Sequence, residues 1–423
     1  MMKQIFLKRI ALTNWKSKNL DVMFPKKETR ISAKNEVGKS SLQQAWNWVF
    51  TSLTTPNVVK NHELFDNRVP LSPDTPEASV KVWIDIDGDE YTIERIAKAK
   101  FTRPRGQVEY VKASSDEYVV KLDGIEISAT DFDDWVSAMI CPIDMLPFVL
   151  DGAFFTTLAI DNKMKARSIL EGLVKEFDYS IMKSKIDNIK DMLKRYNPSQ
   201  LKETISASIR ASKKRIDEIP IEIKSKNDFI KEYGAIESRI GDVHQRMKEL
   251  MEQCLSGAIT EEEFMELLSY ATDDAIYCLV GNAKEKVEEL REQQRLEAIS
   301  LAKKEGRKAE VEMLMEEIAD KVSKEINKML GDYRIVMFDT LRNGEKVPNC
   351  IVTDANGVKF ATLSNSARLR ANLAVQDMFR RKFGVNMITW VDESSVFDEE
   401  HLPRPDGQVC YLFAGESDTL IVS

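Results

Sequence analysis

Eight residues near the amino terminus have the types and spacing of a loop that binds phosphate. Residues 33–40 read AKNEVGKS, which fits the pattern Gly-x4-Gly-Lys-Ser/Thr except that Ala33 stands at the first glycine. Ala33 is compatible with such a loop if its φ is negative. Lys39 would contact the β- and γ-phosphates of a nucleotide, and the Ser40 hydroxyl would bind Mg²⁺. The candidate phosphate ligands are Asn35, Glu36, Val37, Gly38, Lys39, Ser40 and Ser41.

Two acids far along the chain could complete such a site. Asp392 and Glu393 follow the apolar run 386–391, which has the composition of a buried strand. Asp392 would hold Mg²⁺ directly or through water, and Glu393 would polarise the attacking water. An ordinary strand end is the alternative interpretation, because apolar strands often end in acids.

A third element starts a predicted helix. Residues 363–368 read LSNSAR, and Ser364 stands where a helix over 365–382 would begin. A serine there can cap the helix, which is the alternative to a functional role. The start of a helix also attracts anions, including phosphate.

The chain has three parts by composition. Residues 1–178 alternate apolar and polar residues over short runs, with turn signals such as Asp87-Gly88, and indicate mixed α/β structure. Residues 179–330 are rich in Lys, Glu, Leu and Ile at three- and four-residue spacing, which predicts long amphipathic helices. Strand patterns return in 331–423. The helical part is predicted to be a hairpin with its tip in 234–282, and a plain helical bundle is the alternative.

The order of these elements resembles the SMC/RecF-like branch of ABC ATPases, which includes DNA double-strand-break repair ATPases. The resemblance is carried by residues 10–16 (IALTNWK), 35–42 (NEVGKSSL), the segment at Ser364 and the acids Asp392 and Glu393. It implies a P-loop NTPase head of the ABC type, assembled from the N- and C-terminal halves around an inserted α-helical arm. It also implies ATP and Mg²⁺ as ligands, and a homodimer in which Ser364 binds the γ-phosphate held by the other protomer.

The sequence departs from that family at three places. Ser366 and Ala367 stand where the family prefers glycine and an acidic or amide residue. No clear Q-loop glutamine lies near 141–156, where Asp151 is the nearest polar candidate, and residues 412–416 lack the switch histidine. These departures from the family predict that hydrolysis is slow or requires a partner.

The charge distribution limits how the chain could contact nucleic acid. The net charge is −8, so contact with DNA would need a local basic patch. One stretch offers such a patch, with a solvated loop as the alternative: Arg95, Lys98, Lys100, Arg103, Arg105 and Lys112. The five cysteines are far apart, which argues against a disulfide framework or a zinc site.

Two functions remain open. The first is an ATP-hydrolysing machine that dimerises on ATP and acts on DNA in repair, recombination or defence. The second is an ATP-dimerised regulatory or scaffold protein that controls a partner effector or nuclease. A transporter cassette fits poorly, because transporter heads are not split by an arm as long as 179–330. The chain has no apolar run long enough for a membrane span and no signal-peptide pattern, so a cytoplasmic location is expected.

Overall fold

The computed structural model describes residues 2–56, 64–66, 68, 70–103, 110–113, 115–173, 186–234, 243–342 and 346–423. The chain divides into two compact units. Unit 1 comprises Met1–Phe177 and Ile318–Ser423, and unit 2 comprises Asp178–Glu317. Unit 1 therefore contains sequence from both ends of the chain.

The strands found in the described residues all belong to unit 1. They are β1 (Lys3–Trp15), β2 (Lys18–Met23), β3 (Glu28–Ala33), β4 (Ala78–Ile86), β5 (Asp89–Lys98), β6 (Phe101–Thr102), β7 (Val111–Lys112), β8 (Glu117–Leu122), β9 (Ile125–Ile127), β10 (Tyr333–Thr340), β11 (Lys346–Asp354), β12 (Val385–Asn386), β13 (Thr389–Val391), β14 (Val409–Ala414) and β15 (Ile421–Val422). The predicted hairpin at Asp87-Gly88 is confirmed as the β4–β5 turn.

The α-helices are α1 (Lys39–Thr51), α2 (Ala129–Met139), α3 (Leu146–Leu150), α4 (Ala153–Asp161), α5 (Lys163–Leu173), α6 (Pro198–Tyr233), α7 (Val243–Leu255), α8 (Glu261–Asn327) and α9 (Asn365–Phe383). Among the described residues, no single helix is long and apolar enough to cross a membrane. One bent pair, Ile143–Leu150 with Ala153–Asp161 at 109°, meets the length and composition requirement when the two are taken together.

The larger sheet joins the two ends of the chain. Its order is β12-β1-β4-β5-β8-β9, with β2 also paired to β1. The parallel pair of β1 and β12 places Lys3 beside Val385. A register shift between Leu7 and Arg9 moves the buried face of β1 from one set of alternate residues to the other, as a bulge does.

The smaller sheet has the order β13-β14-β3-β15. Strands β13, β14 and β3 are parallel, so their carboxyl ends meet at one edge. The apolar run predicted as one strand over 386–391 is instead split between the two sheets, because β12 pairs with β1 while β13 pairs with β14. The guanidinium of Arg380 stabilises this crossing by donating to the Ile388 carbonyl oxygen at 2.9 Å.

One hydrophobic core serves both segments of unit 1. It includes Trp46 and Val49 of α1, Phe148 of α3, Phe379 of α9 and Ile388. Because residues from both segments are buried together, neither segment can bury its apolar surface alone. The predicted fold class is thus confirmed: an α/β head built from distant halves of the sequence, with a helical insertion between them.

Unit 2 is helical. The buried residues of α6 follow three- and four-residue steps, as in Leu201, Ile205 and Ile209. Ion pairs run antiparallel between α6 and α8, with Lys202 to Glu312 at 2.9 Å and Lys213 to Glu305 at 3.0 Å. A turn over 256–260 joins α7 to α8. Thr260 and Glu263 form a capping box there, with the Glu263 amide donating to Thr260 Oγ1 at 3.2 Å and Glu263 Oε2 accepting from the Thr260 amide at 2.8 Å.

Candidate nucleotide-binding site

The candidate phosphate loop runs from the end of β3 to the start of α1. Ala33 has a negative φ, so the missing first glycine is tolerated as expected. Gly38 has φ +121°, a conformation that L residues rarely adopt, and a Cβ there would lie 3.0 Å from Leu20 Cδ1. Glu36 has a left-handed backbone with φ +68°. Gly38 is therefore required by its backbone conformation, and the Leu20 side chain of β2 leaves little space for a larger residue.

The start of α1 carries positive charge. No side chain of the described residues caps this helix end, which leaves N–H groups of its first turn available to an anion. The ammonium of Lys39 lies across the loop and donates to the carbonyl oxygens of Ala33 at 2.5 Å and Lys34 at 2.7 Å. The Lys39 ammonium therefore already lies at the loop where it is predicted to contact the phosphates.

The candidate acids follow β13 directly. Asp392 Oδ1 accepts from the Glu393 amide at 2.8 Å, and Glu393 has a left-handed backbone with φ +53°. One strand, β14, separates β13 from β3. At about 4.8 Å per strand, the acids lie roughly 10 Å from the phosphate loop along the edge of the sheet. That distance leaves room for a phosphate chain between them.

A cleft of roughly 400 Å³ brings the two halves of the candidate site together. Its lining includes Asn35, Glu36, Gly38, Lys39, Ser40, Ser41, Asp392 and Glu393. The Ser40 hydroxyl and the Asp392 carboxylate supply the oxygen ligands that Mg²⁺ prefers, and Mg²⁺ usually takes its remaining ligands from water and phosphate. The residues present thus fit both a nucleotide and its metal ion. Val37 is not part of the lining.

A second cavity of roughly 280 Å³ lies behind the acids and shares Asp392 and Glu393 with the cleft. Asp151 lines it, with Oδ1 accepting from the Ala153 amide at 2.8 Å and Oδ2 accepting from Gln43 Nε2 at 3.1 Å. Burial raises the pKa of the Asp151 carboxyl, and these two hydrogen bonds oppose the rise. Sequence reasoning missed Gln43, although it lies three residues after Ser40 and so on the same side of α1.

Ser364 lies apart from the cleft. It is the N-cap of α9 and accepts from the Ala367 amide at 3.4 Å, with Ser366 Oγ at 3.3 Å from its own hydroxyl. The side chain is exposed, so it is open to a ligand or a second protein. Within one chain, the structure brings the phosphate loop and the acids together, and leaves Ser364 outside.

The basic stretch over 95–112 differs from the predicted patch. Arg95 is buried: its guanidinium donates to the Val49 carbonyl oxygen at 3.0 Å and to Ser52 Oγ at the end of α1. Its assignment to a DNA-facing surface is therefore wrong. Lys98 pairs with Glu77 at 2.8 Å, and Lys112 pairs with Asp116. Lys100 and Arg103 are exposed, and Arg105 lies outside the described residues.

Comparison with known proteins gives matches among solved structures. No family model matches the sequence, and no curated protein sequence matches it. An Smc head domain with a coiled coil and joint from Pyrococcus yayanosii is 12% identical, with 99% of this chain and 97% of that chain covered, at a TM-score of 0.40. An Smc head domain bound to the C-terminal domain of ScpA, from Pyrococcus furiosus, is 13% identical over 98% of this chain and 90% of that chain, also at 0.40.

The recombination mediator protein RecF, in a structure described as RecF-ATPrS in the RecFOR pathway, is 11% identical. The match covers 99% of this chain and 95% of that chain, at a TM-score of 0.41. These scores are low, and the interpretation of the site depends on its own geometry. The solved structures to which this chain is similar thus include Smc head domains and RecF.

Proposed function

We propose that the protein is an ATPase that binds ATP with Mg²⁺, dimerises around it and hydrolyses it. The observation that supports this most directly is the shared cleft, in which Lys39 and Ser40 face Asp392 and Glu393 across the edge of a parallel sheet. These residues are more than three hundred positions apart in sequence, and no local preference would place them together.

Four residues of the cleft have distinct roles in the proposed reaction. Lys39 leaves its carbonyl partners to contact the β- and γ-phosphates, while the loop N–H groups bind the β-phosphate. Ser40 and Asp392 would hold Mg²⁺, which when bound would neutralise charge on the phosphates. Glu393 accepts a hydrogen bond from the attacking water and orients it in line with the γ-phosphate.

The position of Ser364 supports the proposed dimerisation. This residue and the start of α9 offer a hydroxyl and free N–H groups to an anion, yet they lie outside the cleft of their own chain. A second protomer placed head to head would supply its Ser364 to the γ-phosphate. ATP would then be the ligand that holds the two protomers together.

The test is the mass of the protein in solution, measured by light scattering with and without ATP and Mg²⁺. Glu393→Gln should form a dimer with ATP that persists for hours, because the amide keeps the shape of the side chain but cannot act as a base. Glu400→Gln, an exposed change seven residues away, is the matched control and should behave like the wild type. A Glu393→Gln protein that stays monomeric with ATP would contradict the proposal.

Action on DNA is the finer part of the proposal, and control of a partner effector or nuclease is its alternative. The exposed cations Lys100 and Arg103 favour DNA, since backbone phosphates bind such side chains. Duplex DNA should raise the ATPase rate if DNA is the partner. Reversing both charges to Glu should weaken DNA binding and flatten its salt dependence, by a slope of about 0.9 for each phosphate that the protein no longer neutralises. Reversal of the exposed pair Lys26 and Lys27 is the control.

A further inference from the structure

The turn between β1 and β2 is fixed beside the phosphate loop. Lys16 and Ser17 both have positive φ, as a two-residue hairpin turn requires. The Lys16 ammonium donates to Gln44 Oε1 on α1 at 2.8 Å, and the Lys16 amide donates to the Leu64 carbonyl oxygen at 2.8 Å. The preceding Trp15 is fully buried against Trp48 of α1, with ring centroids 4.6 Å apart. The turn is thus held to the same helix that begins at Lys39.

Lys18, the first residue after this turn, reaches the phosphate loop. Its Cγ and Cδ atoms lie 3.5 and 3.6 Å from the position that a Cβ on Gly38 would occupy, so its stem packs on that glycine. Its ammonium donates to the carbonyl oxygen of Glu36. Lys18 is not among the residues that line the cleft. It therefore contacts the loop from outside the cleft.

This contact determines which way one peptide group of the loop points. In a trans peptide, the C=O of one residue and the N–H of the next point in opposite directions. An ammonium that holds the Glu36 carbonyl on its own side therefore directs the Val37 N–H to the other side. Among the described residues, the Val37 and Gly38 amides donate to no other protein group. Both N–H groups thus remain available to an anion, and of these two residues Gly38 lines the cleft while Val37 stands next to it in the loop.

We propose that Lys18 is a positioning residue for the β-phosphate of a nucleoside diphosphate or triphosphate, acting through the Glu36 carbonyl. Without the ammonium, that carbonyl could turn toward the cleft and present its partial negative charge to the phosphates. Glu36 already places a negatively charged carboxylate in the loop. A carbonyl oxygen turned toward the phosphates would add to that repulsion, so the orientation of this peptide matters more here than in a loop with glycine at position 36. This inference depends on the proposed nucleotide binding and names a residue that the cleft itself does not contain.

The test is calorimetric titration of the full-length chain with ADP and Mg²⁺. Lys18→Met removes the donor but keeps the stem on Gly38, and should raise Kd about tenfold, as loss of one hydrogen bond from a misdirected loop N–H to the phosphate does. Lys18→Arg should bind close to the wild type. Lys26→Met, at an exposed lysine of the next loop, is the matched control. The melting temperature and kcat should be unchanged in Lys18→Met while KM for ATP rises.

The outcomes separate this inference from the proposed function. If the wild type takes up no ADP, both are overturned. If the wild type and Lys18→Met bind ADP equally, only the role of Lys18 is overturned. A loss of affinity that disappears at high salt would mean that only long-range charge matters, and would also overturn it. A loss that persists at high salt, with Lys18→Arg restored, supports it.

Discussion

Replacing Gln408 with leucine should separate the two sheets of unit 1 at one point. The buried side-chain amide of Gln408 bonds twice to the backbone of Leu7, with Oε1 accepting from the Leu7 amide at 2.8 Å and Nε2 donating to the Leu7 carbonyl oxygen at 2.8 Å. On that edge, β1 pairs with β12 at Lys3 and Gln4 and with β2 from Arg9 onward, so Leu7 lies in the gap between them. Gln408 fills that gap as a strand would.

The size of the effect follows from the groups left behind. Leu7 is fully buried, so its amide and carbonyl have no access to water when Gln408 is replaced. An unpaired buried group costs about 1–3 kcal/mol, and leucine recovers part of that by burying apolar surface. We therefore expect Gln408→Leu to lower the free energy of unfolding of unit 1 by about 2–4 kcal/mol. Gln408→Glu should be at least as harmful, because a carboxylate cannot donate and its charge would be buried.

Urea unfolding followed by tryptophan fluorescence measures this directly. All six tryptophans belong to unit 1: Trp15, Trp46, Trp48, Trp83, Trp135 and Trp390. Gln253→Leu, an exposed change in unit 2, is the control and should shift the transition by less than about 0.5 kcal/mol. A Gln408→Leu protein as stable as this control would refute the view that the amide joins the two sheets.

Three further outcomes are expected. Gly38→Ala should abolish ADP binding in calorimetry. Gly88→Ala is the control and should bind ADP normally, because Gly88 also has positive φ but has open space around it. Normal ADP binding by Gly38→Ala would contradict the account of the loop. Burial raises the pKa of Asp151, so this carboxyl reduces stability as pH rises through its unfolded pKa toward its folded pKa. Asp151→Asn should therefore raise the melting temperature more at pH values above the unfolded pKa of the aspartate than below it, and a gain confined to pH values below that pKa would oppose this. Arg95→Met should lower the free energy of unfolding by about 2–4 kcal/mol, because it loses the hydrogen bonds of Arg95 to α1. DNA binding in a filter-binding assay should be unchanged. Weaker DNA binding by a variant of unchanged stability would restore Arg95 to the basic patch.

The parts of the fold that could be predicted from sequence are those with local signals. The phosphate loop over 33–40 and the turn at Asp87-Gly88 each depend on residue types within a few positions. The burial of Arg95 also had a local signal, the two-residue period of its strand, which the predicted basic patch did not take into account. Arg95 alternates with Ile93 and Ala97 on β5, and all three are buried, so the two-residue period of the strand already placed this cation on the inner face.

Other features had no local signal. The apolar run over 386–391 gives no indication that it divides between two sheets, because the division is set by the pairing partners β1 and β14. The contacts of Gln408 with Leu7 and of Lys18 with Glu36 end on backbone atoms, which every residue carries. No residue type at position 7 or 36 could have indicated them. The meeting of Lys39 with Asp392 was predicted only through the order of the motifs.

The covalent path between the two segments of unit 1 has a consequence for proteolysis. The turn over 256–260 lies in unit 2, whereas the β1–β12 and β3–β14 pairs and the shared core lie in unit 1. A protease that nicks the chain once at that turn would leave all of those pairings intact. We expect the two fragments to migrate as a single particle under native conditions and to part only in denaturant. If the part of the chain before this turn and the part after it are produced as two separate polypeptides, they should associate and fold together into unit 1 without a peptide bond between them.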